Sequence, residues 1–401
     1  MSDWKEYRIS ELGLVGRGKS KHRPRNDKIL YGGKYPFIQT GDVKEAVLHI
    51  NKFKDTYNDT GLAQSRLWDQ GTLCITIAAN IADTAILKFP ACFPDSIIGF
   101  TPNTGVSDVR FVKYYFDIYK KHLESISMGA TQNNLSIEKL ESIKFRIPNI
   151  ETQKKIANVL SVYDNLIENN IRRIEILERI AEEIYKEWFV RMRFPSYENT
   201  KFEKGIPEGW EVKKIKDIGE VITGKTPSTQ VSEYYGSKVM FIKTPDMHGN
   251  VFTNNTEVYL SEEGSNSQTD KLIPQNSIMV SCIGTGGVVS INMQPAHTNQ
   301  QINSIILNDI RLREWAYFTL KFMKQTIDLF GATGATMTNL SKGKFENMKI
   351  ILPKNRILSE FNHKTKDVFE NIKNLIIVNQ NLVKQRDLLL PRLMNGSIGV
   401  K

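Results

Sequence analysis

The sequence predicts a duplicated α/β or α+β chain: two related globular domains separated by a two-helix antiparallel coiled coil, with approximate two-fold symmetry. Three observations predict it. Segments recur in the same order at a spacing near 205 residues. Each copy begins with short apolar runs punctuated by Gly, Pro, Asn and Asp, the pattern of strands and turns. Each copy then closes on a long stretch whose apolar positions step alternately by four and three, the pattern of a helical seam.

The repeat is the firmest of the three. Trp4-Lys5-Glu6 returns as Trp210-Glu211-Val212, and Phe37-Ile38-Gln39-Thr40-Gly41-Asp42 returns as Phe241-Ile242-Lys243-Thr244-Pro245-Asp246. Gly129-Ala130-Thr131-Gln132-Asn133-Asn134-Leu135-Ser136 matches Gly334-Ala335-Thr336-Met337-Thr338-Asn339-Leu340-Ser341, and Ile147-Pro148 matches Leu352-Pro353. The offset drifts only between 204 and 206 at these anchors. Within the copies, residues 72–78 and 277–283 read as strands, and the aromatic segments 111–119 and 315–323 as helices. The strand order is not legible.

The first seam runs Ile156, Leu160, Tyr163, Ile167, Asn170, Ile174, Leu177, Ala181, Ile184, Trp188. The second runs Phe361, Thr365, Val368, Ile372, Leu375, Asn379, Leu382, Arg386, Leu389, Leu393. At 1.5 Å per residue the first seam is ~50 Å long. Pro148 and Pro353 precede these helices, while Pro195 and Asn395-Gly396 follow them. A single helix lying on its own globule rarely keeps so strict a period, so the two helices are expected to pair. Antiparallel pairing with Ile156 facing Leu393 and Trp188 facing Phe361 sets Asn170 opposite Asn379, where two asparagines would fix the register. The predicted segments are 1–150, a globular domain; 151–195, the first long helix; 196–355, a linker and the second domain; and 356–401, the second long helix and tail.

Composition bounds the function. Of 401 residues, 40% are hydrophobic and 24% charged, ordinary for globular domains. No apolar run is long enough to span a bilayer, and MSDWKEYRIS carries no apolar run after a basic start, so neither a membrane span nor a secretory signal is expected. Three scattered cysteines, Cys74, Cys92 and Cys282, form neither a disulfide framework nor a metal pair. A reduced, cytoplasmic protein is expected. The net charge of +10, from 54 Lys and Arg against 44 Asp and Glu, permits nucleic-acid binding without requiring it.

The densest cations lie in Arg17-Gly-Lys-Ser-Lys-His-Arg-Pro-Arg-Asn-Asp-Lys28. Such a run is either a solvated loop or a set of phosphate contacts on a polyanion. Arg17, Lys19, Lys21, Arg23 and Arg25 are the candidates there, with Lys225, Lys238 and Lys243 in the less basic second copy. Residues 13–20 and 219–226 also fit G-x-x-x-x-G-K-[ST], a phosphate-loop pattern that raises a tandem nucleotide hydrolase as an alternative. Context opposes it. The segment before Gly13 is too polar for a buried parallel strand, and Pro24 and Pro227 interrupt any following helix. The six histidines show no ligand spacing, Gly284-Thr-Gly-Gly287 is a weak glycine cluster, and no nucleophile elbow is present. A duplicated enzyme should repeat a catalytic centre, and none repeats here. A coiled-coil scaffold with no nucleic acid is the other alternative.

Taken together, Gly205-Ile-Pro-Glu-Gly-Trp-Glu-Val212, Leu135-Ser136 ahead of Ile147-Pro148, the helix at 151–188 with Gln153-Lys-Lys-Ile-Ala157, and the closing Leu388-Leu-Leu-Pro-Arg-Leu-Met-Asn-Gly-Ser397 resemble the DNA-specificity subunits of type I restriction–modification systems. The resemblance spans essentially the whole chain. The Thr152-Gln-Lys-Lys-Ile156 start has its counterpart at 356–361 in a diverged form. The resemblance implies two target-recognition domains reading the halves of a split, asymmetric double-stranded DNA target. It implies paired helices that measure the spacer and dock two methyltransferase subunits, with nuclease subunits joining. No catalytic residue, metal or cofactor is expected on this chain. S-adenosylmethionine, ATP and Mg²⁺ would belong to the partners.

Overall fold

The computed structural model describes residues 4–78, 80–128, 135–332 and 338–400. It divides into two compact units, residues 1–172 with 378–401, and residues 173–377. Segments 129–134 and 334–337 of the shared Gly-Ala-Thr motif lie outside the described residues.

The first unit is built on a five-stranded sheet. Its strands are β1 (Gly13–Arg17), β2 (His49–Ile50), β3 (Leu73–Thr76), β4 (Thr84–Leu87) and β5 (Ile97–Pro102), arranged in the order β1-β5-β3-β4-β2. All pairings are antiparallel except the parallel edge pair β2–β4. Strands β3 and β4 are buried at every residue, which is why residues 72–78 read as a largely apolar run with no in–out alternation. Helix α1 (Val109–Met128) contributes Phe111, Val112, Tyr114, Tyr115 and Phe116 to the same core.

Helix α2 (Ile150–Tyr185) follows Pro148, and Asn149 starts it by accepting from the Thr152 amide at 2.9 Å. Gln153, fully buried, donates to the carbonyls of Val106 and Pro148 and accepts from the Asp108 amide. Ile156, Ala157 and Leu160 of α2 share a core with Phe111, Tyr114 and Phe145 and with Leu390, Leu393 and Met394 near the chain's end. Pairing of the long helices and attachment to the globular domain therefore use the same seam residues, although the sequence presents them as alternatives.

The second unit repeats the sheet: β6 (Gly219–Thr223), β7 (Phe252–Thr253), β8 (Ile278–Ser281), β9 (Val289–Asn292) and β10 (Ile302–Leu307), in the order β6-β10-β8-β9-β7. Again only the edge pair, β7–β9, is parallel. Both units therefore have the same strand order and strand directions. A four-stranded sheet beside it holds Tyr235–Gly236, Val239–Ile242, Val258–Leu260 and Ala296–Thr298. Helix α3 (Arg313–Phe322) buries Trp315, Tyr317 and Phe318.

The closing helix α4 (Asn355–Met394) contributes to both units. In the second unit, Phe361 packs on Trp188 with ring centroids 5.8 Å apart, and Phe369 lies against Phe252, Tyr317 and Phe318. In the first unit, Asn379 meets Asn170 and Arg386 meets Asp164, so residue numbers rise on one helix as they fall on the other and the pairing is antiparallel. Gly396, with φ at +75°, stops α4, and the Gly396 amide donates back to the Leu393 carbonyl at 3.3 Å.

The shared Leu-Ser dipeptide has a local cause. Leu135 and Leu340 are buried, and the hydroxyls of Ser136 and Ser341 cap the short helices that follow. No described helix is long and apolar enough to cross a membrane.

Candidate nucleic-acid interface

The basic run of the first unit is a loop gripped through its backbone. Beyond β1, the Gly18 amide donates to the Ile97 carbonyl at 2.9 Å and the Lys19 amide to the Phe93 carbonyl at 3.1 Å. A Cβ on Gly18 would sit 2.3 Å from the Pro94 oxygen, so only glycine permits this approach. Ser65 donates its hydroxyl to the Lys19 carbonyl at 2.8 Å, and Tyr31 donates to the Arg25 carbonyl at 2.8 Å. The His22 ring lies 2.8 Å from Asp27, whose carboxyl is held below its usual range by the Ile29 amide and by His22.

This geometry sorts the five candidates. Arg17, Lys19 and Lys21 are exposed, and none forms an ion pair among the described residues. Arg25 instead reaches Asp95 at 2.5 Å, and Arg23 lies 4.0 Å from the same carboxylate while donating to the carbonyls of Ser20 and His22. Two of the five cations are thus committed to holding the loop's shape.

The second unit builds the same turn with other side chains. The Gly224 amide donates to the Ile302 carbonyl at 3.1 Å and the Lys225 amide to the Thr298 carbonyl at 2.9 Å. Gln268 takes the place of Ser65 by donating to the Lys225 carbonyl at 3.1 Å, and Thr226 donates to Gln300 at 2.6 Å. Lys225 is exposed on this turn. Lys243, half-buried, adjoins it through Ile242, whose carbonyl accepts from the Asn299 amide at 3.2 Å. Lys238 is exposed between two strands of the four-stranded sheet, and no bond among the described residues links it to Lys225.

The same geometry overturns the nucleotide-hydrolase alternative. A phosphate loop needs a helix opening directly after Gly-Lys-Ser/Thr. Here irregular chain runs from Gly18 to a short 3₁₀ turn at Lys28–Leu30, and from Gly224 to another at Ser232–Tyr234. The strands ahead of both turns are antiparallel edge strands.

Sequence reasoning missed the polar bolts that join the long helices to one another, to the helices of the globular domains and, at Glu168, to a sheet edge. In the first unit, fully buried Asp164 accepts from Arg386 and from the Tyr114 hydroxyl, each at 2.5 Å. Burial pushes the Tyr114 hydroxyl far above its ordinary pKa, and the Asp164 charge adds to that. One turn on, Glu168 accepts from the amides of Leu48 and His49 at 3.1 and 2.6 Å, with the His49 ring 3.1 Å away. Burial raises the Glu168 pKa, but the His49 ring and the two amides outweigh it and hold the carboxyl at about 2. In the second unit, buried Arg313 bonds Glu314 at 2.6 Å and Glu370 at 3.0 Å, and Lys321 bonds Glu182 at 2.8 Å. The available signal was carboxylates at i and i+4 beside an apolar seam, a pattern that ordinarily reads as a solvated face. Asn170 and Asn379, by contrast, lie on the predicted seam, and the Asn170 amide group donates to the Asn379 oxygen at 2.8 Å.

The family model described as "Type I restriction modification DNA specificity domain" matches residues 1–179 and again 207–385. A Haemophilus influenzae protein, the type I restriction enzyme HindI specificity subunit, is 32% identical over 99% of this chain and 100% of its own length. The MjaIX specificity subunit of Methanocaldococcus jannaschii is 28% identical over 100% of this chain and 94% of its own. Among solved structures, the type I restriction–modification S subunit of M. genitalium aligns with a TM-score of 0.58 at 15% identity, covering 98% of this chain and 96% of the other.

Proposed function

The chain belongs to the type I restriction–modification DNA specificity family, and from that premise we propose that each unit reads one block of a two-part double-stranded DNA target. The observation that carries the reading is the twice-built glycine turn. The backbone is held in the same way at Gly18-Lys19 and Gly224-Lys225, while the side chains around it differ. One scaffold presenting two unlike surfaces suits an asymmetric target. Exposed Arg17, Lys19, Lys21, Lys225 and Lys238, with Lys243, would contact phosphates and set the register, and a few base-edge contacts would supply the sequence.

The work of this chain is recognition and assembly. Methyl transfer and cleavage belong to two methyltransferase subunits and to nuclease subunits that join it. S-adenosylmethionine, ATP and Mg²⁺ are bound by those partners, and the complex works in the cytoplasm. Asn170 and Asn379 serve as the register lock of the helix pair. A coiled-coil scaffold with no nucleic-acid role has no support from a match to a DNA specificity domain in both units.

The test is genome-wide mapping of methylated bases in cells carrying this chain with its methyltransferase partner. A split motif of two unlike blocks is expected. Methylation at a single continuous motif, or at none, would overturn the reading.

A further inference from the structure

Trp68 of the first unit lies in a cradle that the sheet has cleared for it. Gly16 of β1 and Gly99 of β5 are cross-strand partners. A Cβ on Gly99 would strike the Trp68 ring at 2.6 Å, and one on Gly16 would meet the ring at 3.0 Å. The ring stacks on Phe93, with centroids 5.1 Å apart and planes 16° apart, and only 3% of Trp68 is exposed. Its backbone is fixed by paired bonds with Ala91 at 2.9 and 3.0 Å.

What this platform carries is Arg66. The guanidinium carbon lies 3.7 Å from the Trp68 centroid, and Nη1 would sit 3.1 Å from a Cβ on Gly16. Arg66 is exposed, and among the described residues it has no carboxylate partner. Its segment is also fastened to the basic loop. Ser65 donates to the Lys19 carbonyl at 2.8 Å, and Gln64 accepts from the His22 amide at 3.0 Å. An unpaired surface arginine ordinarily samples many rotamers, whereas this one is held over a buried ring on the Gly16 face of the sheet. Stacking immobilises the fork before any ligand arrives, so less entropy is lost when its donors are engaged.

We propose that Arg66 is a base-reading residue of the first unit, its fork presented by Trp68 to the two acceptors on the major-groove edge of a guanine. The chemistry fits because guanine offers N7 and O6 side by side, the spacing a guanidinium matches with two bonds. The second unit does not build this device. Ile273 bridges Ala296 as Trp68 bridges Ala91, which places Lys271 where Arg66 stands. Lys271 is paired with Asp270 at 2.9 Å, and the cross-strand pair corresponding to Gly16 and Gly99 is Ile222 with Ser304. The two units therefore offer unlike groups at one place in a common scaffold.

The inference rests on the DNA-reading function proposed above, and one experiment separates the two. Methylated motifs are mapped for the full complex carrying the parent chain, Arg66→Lys or Arg66→Gln. Arg66 is exposed, so both variants should fold, and Arg66→Lys keeps the charge while losing the fork. A parent without a split motif would sink the DNA reading itself. Given a split parent motif, both variants should relax one guanine-containing position in one block. Discrimination there should fall by about tenfold to a hundredfold, with the other block and the spacing retained. Two results overturn the proposal: variant motifs identical to the parent's, or a uniform fall in methylation at every site with base preferences unchanged, which would make Arg66 a phosphate contact only.

Discussion

Asp164 and Arg386, 222 positions apart in the chain, meet at 2.5 Å between α2 and α4, and the same carboxylate holds the Tyr114 hydroxyl of α1. Three helices thus converge on one fully buried charge. A buried ion pair is weak evidence of net stabilisation, but removing one partner is costly because the other charge is left uncompensated. Arg386→Met should therefore destabilise the first unit by about 3–5 kcal/mol, read as a lowered urea midpoint. The double variant Arg386→Met with Asp164→Leu should recover much of that loss. If the double variant were as unstable as the sum of the singles, the pair would not be the unit of interaction.

The seam asparagines make a milder prediction. Asn170 is 2% exposed and donates to Asn379 at 2.8 Å. Asn170→Leu strands a buried amide against an apolar neighbour and should cost about 1–3 kcal/mol. Replacing both with leucine removes the unmet polar group and should restore most of the stability while weakening the register. Chemical denaturation of the single, the partner single and the double variant completes the cycle.

The long helices, their starts behind Pro148 and Pro353 and the facing asparagines were legible because heptad spacing and helix-stop residues are local signals. Strand order was not. The strands of the two five-stranded sheets are two to six residues long, and those at the centre are buried on both faces, so no alternation survives to show which edge is free. Arg386 shows the limit of pattern reading at the site level. It occupies an apolar seam position, and only the fold reveals that Asp164 awaits it. Similarly, the run between Arg17 and Lys28 is irregular chain, as its composition suggests, but composition could not separate Arg25, which Asp95 holds, from Lys19, which has no ion pair among the described residues.

That separation is measurable. Phosphate contacts release counterions, and each contributes about 0.9 to the slope of log affinity against log salt. Replacing Arg17, Lys19 and Lys21 together with glutamine should flatten the slope of DNA binding by about 2–3 units. Arg25→Gln, acting on a cation already engaged by Asp95, should change the slope much less. Equal effects from the two variants would show that the Arg25–Asp95 pair opens on DNA.

Glu168 gives the first unit an acid limit. Its carboxyl, ordinarily near 4.5, is held at about 2 in the folded chain by the His49 ring and the amides of His49 and Leu48, against the opposing effect of burial. A depressed carboxylate contributes stability above its unfolded value and loses it as pH falls toward the folded one. At ~1.4 kcal/mol per pKa unit the contribution is about 3 kcal/mol at neutral pH, fading between about pH 4.5 and 2. Glu168→Gln should therefore be less stable than the parent at pH 7, with the gap closing on acidification, as followed by thermal melts across that range.

Glu178 of the second unit works in the opposite direction. Burial first, then the neighbouring carboxylates of Glu175 and Glu182, push it up to about 7, with Lys321 opposing. A carboxyl whose folded value exceeds its unfolded one favours the folded state only while protonated. Stability is therefore lost as pH rises from about 4.5 to 7, and the full cost, about 3 kcal/mol on the same scale, stands above that window. Glu178→Gln carries no charge to desolvate and keeps the shape of the protonated acid. Its melting temperature should match the parent's near pH 4 and exceed it at pH 8. A variant less stable than the parent at pH 8 would mean that the Lys321 charge, rather than burial, governs the site.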